Sequence, residues 1–260
     1  MKVKTLIIHL IIILLLTVIT QVGGILWLIS IFISKYRTWK VRYVFPVIYI
    51  LANLLIVPTT AKLFGREQLP VIGKELRPRN MAYPLLFRNY VHSDLKILLE
   101  DVSRSMETDG YTMTYLDANF PFFDGFPLLP HLSHNDGKKI DLSFMYLDKD
   151  GNKTNKKPSV SGYGIYVNSE DNTTTKRCKS IGQWQYDFPK HLSMGKWNDL
   201  NFDAVGTKQL LLSLLESDRI EKIFIEPHLK ASLGLNHKNK IRFQGCHAVR
   251  HDDHIHLQIK

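Results

Sequence analysis

"HDDHIHLQIK" (residues 251–260) contains "DHIHLQI" (253–259), which reads as a β-strand because it is rich in β-branched residues and alternates in polarity. On a strand, residues i and i+2 point to the same face, so His254 and His256 stand side by side. In an unbroken strand Asp252 shares that face and His251 points away. His251 therefore joins the pair only at the strand's start or at a bulge. A second window, "HLSHNDGKKID" (131–141), places His131 and His134 before Gly137, which permits a tight turn. The chain then enters a strand that carries Asp141. Five of the 11 histidines (His131, His134, His251, His254 and His256) fall in these two windows and His247 lies just before the second, a concentration that asks for a chemical explanation.

The surrounding pattern sets the expected fold. Further strands are expected at "YTMTYLDA" (111–118), "KKIDLSFMYL" (138–147), "GYGIYV" (162–167) and "EKIFIEP" (221–227). Leu95, Leu98, Leu99, Val102 and Met106 recur at helical spacing, with Ser93 as a natural N-cap and Gly110 as the stop. A second amphipathic helix is expected at 204–218. Strands and helices do not alternate regularly, which predicts an α+β domain: a largely antiparallel sheet with packed helices. The domain is expected over 81–260, with a polar excursion at 148–200 beginning "DKDGNKTNKKPS". A Pro- and Gly-containing connector is expected at 65–80.

Residues 1–64 have a different character. They contain Lys2, Lys4, Lys35, Arg37, Lys40, Arg42 and Lys62 and no acidic residue, so most of the net charge of +10 lies there. Nucleic-acid binding wants a basic stripe on the folded domain, whereas this excess flanks apolar runs, so a nucleic-acid partner is not expected. The uncharged run 6–33 is long enough to span a bilayer, and 43–64 forms a second span despite Pro46 and Pro58. A cleaved signal peptide fits poorly, because the run exceeds a usual h-region of about 7–15 residues and no A-x-A site follows. Two transmembrane helices joined by the basic loop "SKYRTWKVR" (34–42) are expected. The loop is placed in the cytoplasm, with the chain's start and everything after residue 64 outside. Cys178 and Cys246 then lie in an oxidising compartment, either as one disulfide or as two separate thiols.

Two histidines and one carboxylate with an open fourth position form a catalytic zinc set, and zinc lowers the pKa of its water to about 7. Each fragment is weak alone, since an H-x-H pair on a strand is often accidental and a lone histidine is usually structural. Their conjunction is stronger. H-x-x-x-x-x-x-D followed far downstream by H-x-H resembles the lysostaphin, D-alanyl-D-alanine metallopeptidase and hedgehog group of zinc domains. The closer likeness is to the penicillin-insensitive murein endopeptidases. Their H-x-S-H-x-x-G-x-x-x-D segment is seen here as His131, Ser133, His134, Gly137 and Asp141. Their H-x-x-H-x-H segment is seen as His251, His254 and His256.

The resemblance covers roughly residues 80–260 and implies an antiparallel sheet bearing a groove with Zn²⁺ held by His134, Asp141 and His256. It implies His254 as general base and acid, and His131 and His251 as residues steadying the polarised carbonyl. It further implies a hydrolase acting on peptidoglycan peptides, which the charge distribution of residues 1–64 places at the extracytoplasmic face of the cell (inner) membrane. Glycines that often precede the family's first histidine are replaced here by Leu129 and Pro130. Asp203 and His228 are additional candidates that no spacing requires. A non-catalytic zinc module recognising a wall peptide or an envelope protein is the alternative. A membrane protein with purely structural histidines is the blandest reading.

Overall fold

The computed structural model describes residues 3–167 and 172–260. The chain divides into two compact units that do not follow a boundary at residue 64. One comprises 1–69, 82–93 and 118–137, and the other 70–81, 94–117 and 138–260.

The first unit holds the apolar helices α1 (Val3–Thr20), α2 (Gly23–Arg37), α3 (Val41–Leu51) and α4 (Val57–Ala61). The run expected as one span at 6–33 is broken at Gln21, which adopts a left-handed φ of 65°. The Thr20 hydroxyl accepts a hydrogen bond from Gly23 N at 2.7 Å across the break. The side-chain Nε1 of Trp27 then donates to His9 Nδ1 at 3.2 Å, so α1 and α2 form an antiparallel hairpin. Gly24 makes their close approach possible, since a Cβ there would fall 2.0 Å from the Thr17 hydroxyl. A π-helical turn at Ala52–Ile56 joins α3 to α4 just ahead of Pro58, whose ring and missing N–H disturb the preceding helical turn.

Two helices, Val3–Thr20 and Val41–Phe64, are long and apolar enough to cross a membrane. Only 6% of the first and 28% of the second is buried, whereas a core helix of a water-soluble domain hides most of its apolar surface. Val22, Leu26, Ala52, Val57, Ala61, Phe87 and Tyr90 form this unit's core. Residues 65–80, expected as a connector, contribute the strands β1 (Arg66–Gln68) and β2 (Leu76–Pro78). Following the short helix α5 (Ala82–Leu85), β3 (Tyr90–His92) pairs antiparallel with β1.

The second unit begins with β2 and continues through α6 (Ser93–Thr108), β4 (Met113–Tyr115), β5 (Lys139–Ser143), β6 (Tyr146–Leu147) and β7 (Lys153–Thr154). Three short helices follow: α7 (Thr173–Ser180), α8 (Trp184–Asp187) and α9 (Pro189–Leu192). The chain then forms β8 (Asn201–Phe202), α10 (Ala204–Leu215), β9 (Ile220–Phe224), α11 (Pro227–Ser232), β10 (Ile241–Arg242) and β11 (His254–Ile259). Six strands make one sheet in the order β10-β9-β11-β5-β4-β2. Its centre is antiparallel as expected, while the edge pairs β10–β9 and β2–β4 are parallel, so the sheet is mixed.

Strand alternation sends Ile140, Leu142, Ile255, Leu257 and Ile259 into the core. Leu95, Leu98, Leu99, Val102 and Met106 of α6 and Leu210, Leu211 and Leu214 of α10 are buried as well. The excursion at 148–200 carries β7 and α7–α9, and its residues 168–171 lie outside those described.

The strand expected at 162–167 does not form. Gly162 and Gly164 have φ of 100° and 80°, so the chain turns at both, and a Cβ at either would strike Leu116 or the Pro189 carbonyl. Cys178 and Cys246 are joined in a disulfide spanning 68 residues. It ties α7 to the loop leading into β11. Replacing both cysteines by serine is expected to cost about 4 kcal/mol by the loop-entropy relation, read as a lowered urea midpoint of the full chain.

Candidate metal centre

The sheet register brings the two sequence windows together. On β11 and β5, His256 lies directly opposite Asp141 and His254 opposite Ser143, so His256 and Asp141 share the face away from the core. His256 Nδ1 is 2.9 Å from Asp141 Oδ1. His134 follows an irregular segment after Asn119, and its Nδ1 pairs with the Ala118 carbonyl at 2.9 Å. That contact fixes Nδ1–H as donor and turns Nε2 outward, the arrangement by which a backbone carbonyl orients a metal-binding imidazole. The ligand atoms of His134, Asp141 and His256 all lie within 4.8 Å of one another, and all three residues are buried. Neutral imidazole nitrogens and a carboxylate oxygen at this spacing are a set able to hold a metal ion.

The other three expected residues are also placed. The ring centroid of His131 is 5.5 Å from that of His134. β11 starts at His254, so His251 precedes the strand and is free of its alternation, as its membership of the cluster required. Its ring lies 4.9 Å from His254 and 5.6 Å from His256. Phe224 of β9 packs against both His251 and His256. Asp252, by contrast, turns away to pair with Arg250.

Three residues of the site escaped the sequence reading. Tyr163, presented by the Gly162–Gly164 turn, donates from its hydroxyl to Asp141 Oδ2 at 2.7 Å and accepts from Asp117 N at 3.1 Å. Its ring also meets His254 edge-on at 5.0 Å. Asp253 binds His254 Nδ1 through one oxygen and accepts from Gly164 N through the other at 2.6 Å. Burial opposes a charge on His254, but Asp253 and Asp141 outweigh it and lift its pKa to about 9; a cation held by Asp141 would offset that carboxylate and lower the value toward the range of a base. Glu226 accepts from His251 N at 3.2 Å and from the Tyr186 hydroxyl at 2.7 Å, and burial raises its pKa. Adjacency in "DDH" was the available signal for Asp253. Nothing local marked Tyr163 or Glu226.

The loop before β11 is held firmly. Arg250 is fully buried, pairs with Asp252 and with Asp187 at 3.2 Å, and stacks 3.8 Å from the Tyr166 ring centroid. Asp203 and His228 belong elsewhere. Asp203 caps α10 by accepting from Gly206 N at 2.9 Å, and His228 Nε2 contacts the Val167 carbonyl at 2.9 Å.

Because Tyr163 braces the candidate ligand Asp141 without being one, Tyr163→Phe is expected to lower metal affinity about 10–100-fold. Competition against a calibrated chelator reads this directly, and an unchanged affinity would remove Tyr163 from the centre. In comparisons with known proteins, no family model matches the chain, and no curated protein does.

Proposed function

We propose that the protein is a membrane-anchored zinc metallopeptidase that hydrolyses peptidoglycan cross-links or stem peptides on the extracytoplasmic side of the cell membrane. The observation that carries this reading is the buried set of His134, Asp141 and His256, whose ligand atoms lie within 4.8 Å of one another. When bound, zinc supplies Lewis acidity and makes water nucleophilic near neutral pH.

The chain's own residues supply the rest. Asp253 orients His254, which takes up and later returns the proton that peptide hydrolysis moves from water to the leaving amine. Tyr163 holds Asp141 in place. His131 and His251 orient the scissile carbonyl. The substrate class rests on the resemblance of the two histidine motifs to murein endopeptidases.

The hairpin supports the placement. Because α1 and α2 run antiparallel, Lys4 lies at the same end as Lys35, Arg37, Lys40 and Arg42. The positive-inside rule puts that end in the cytoplasm and the residues after 64 outside. This reverses the side expected for the chain's start and keeps that of the metal centre. The Cys178–Cys246 disulfide suits an oxidising compartment.

Burial of the six residues, none more than 8% exposed, favours a second reading in which the centre holds a metal without turnover. Metal content by mass spectrometry, followed by incubation of the full chain with cross-linked muropeptides, separates the two. One zinc per chain with cleavage supports the enzyme. One zinc and no turnover on any muropeptide supports the module. Folded protein without zinc removes both.

A further inference from the structure

We infer that the irregular segment 120–132, which contains His131, is a membrane-interfacial loop whose exposed apolar side chains insert among the lipid headgroups. The argument lies within the first unit and rests on residues 41–64 crossing the bilayer, independently of any peptidase activity. Helix Val41–Phe64 has 24 residues and so extends about 36 Å, slightly more than the roughly 30 Å hydrocarbon layer.

Its start is marked by exposed Tyr36, Trp39 and Tyr43 among Lys35, Arg37, Lys40 and Arg42, an aromatic and basic girdle of the kind found at membrane surfaces. With the girdle at one interface, the helix length puts Leu63 and Phe64 at the other.

Residues 120–132 meet the helix there. The Phe64 ring stacks edge-on against Phe122 at 5.1 Å and Phe123 at 5.6 Å. The Phe122 amide donates to the Gln21 side-chain oxygen at 3.0 Å, which fastens the segment to the α1–α2 turn as well. The 82–88 region meets the same helix deeper, near its middle, where Asn53 Nδ2 donates to the Pro84 carbonyl at 2.9 Å and the Tyr49 hydroxyl to the Leu85 carbonyl at 2.6 Å, side-chain donors of the kind that let non-helical backbone lie at membrane depth. Arg88 reaches from that region to the Leu129 carbonyl at 2.7 Å.

The segment nonetheless leaves Phe123, Leu129 and Leu132 more than half exposed, beside Leu63 at 84% and Phe64 at 47%. Apolar side chains continuous with a membrane span, and held at its outer end, match the interfacial layer of a bilayer. A peptide substrate would accordingly reach His131 at the membrane surface.

The test uses the full chain reconstituted in vesicles of phosphatidylethanolamine and phosphatidylglycerol. The two native cysteines are paired, so a single introduced cysteine takes a nitroxide label alone. Phe123→Cys, Leu132→Cys and the mid-helix reference Leu54→Cys are labelled separately. Accessibility to oxygen against a water-soluble nickel chelate then gives the depth of each label. The inference expects Leu54 in the hydrocarbon and both Phe123 and Leu132 labels at headgroup depth. A Leu54 label in hydrocarbon with either loop label at bulk-water values overturns the inference alone. A Leu54 label in water overturns the anchor and the inference together, and neither result bears on zinc or hydrolysis.

Discussion

His134→Ala is expected to strip the metal from the protein and reduce hydrolysis by about 10⁴-fold or more. The magnitude follows from the several kcal/mol of transition-state charge stabilisation that a catalytic metal supplies, at 1.36 kcal/mol per factor of ten. Of the three proposed ligands, His134 gives the cleanest prediction. Its Nδ1 partner is a backbone carbonyl and the residue lies outside the strands, so alanine leaves the sheet ladder untouched. Asp141→Asn should give the same loss by a different route. It keeps the side-chain volume while removing the charge, in a residue that faces His256 across the ladder and accepts from Tyr163. The checks are metal per chain by mass spectrometry, turnover of muropeptides, and a thermal melt to establish folding. Undiminished cleavage by either folded variant would show that these residues do not serve catalysis.

The second large effect separates chemistry from metal binding. His254→Gln is expected to retain one metal per chain while turnover falls by about 10²–10⁴-fold, the range over which positioned acid–base groups act. His254 stands on the same strand face as His256, two residues away, and is held by Asp253 on one ring nitrogen. Its other nitrogen lies 3.7 Å from Asp141 Oδ2. Glutamine keeps hydrogen-bonding capacity but cannot carry the proton. Normal metal content with normal turnover would transfer the acid–base role elsewhere. Loss of the metal in the glutamine variant would make His254 part of the holding set.

How much of this was legible in advance differs from element to element. Helix α6 was readable because the spacing of Leu95, Leu98, Leu99, Val102 and Met106 is local and all five are buried as that pattern requires. The run 6–33 was not read correctly as a single span. Uniform apolarity carries no signal of direction, and the punctuation "TQVGG" at 20–24 was the only trace of the hairpin. The strand expected at 162–167 failed for a related reason. Tyr163, Ile165, Tyr166 and Val167 favour strands, but the flanking glycines at positive φ override them and aim Tyr163 at Asp141.

By itself the sequence determined the pairing of His254 and His256 on one strand face and the apolar character of the first 64 residues, which follow from residue chemistry and from a two-residue period that needs no knowledge of neighbours. The choice of His134, Asp141 and His256 as candidate ligands came from the resemblance of the two histidine motifs to a zinc family. Only the tertiary structure decided that Asp141 faces His256, that Cys178 bonds Cys246, and that Arg250, Glu226 and Asp253 brace the loop and strand carrying His251 and His254. Those facts depend on sheet register and on contacts between residues far apart in the chain. A shift of one residue in register would have turned His256 toward the core and left Asp141 without its partner.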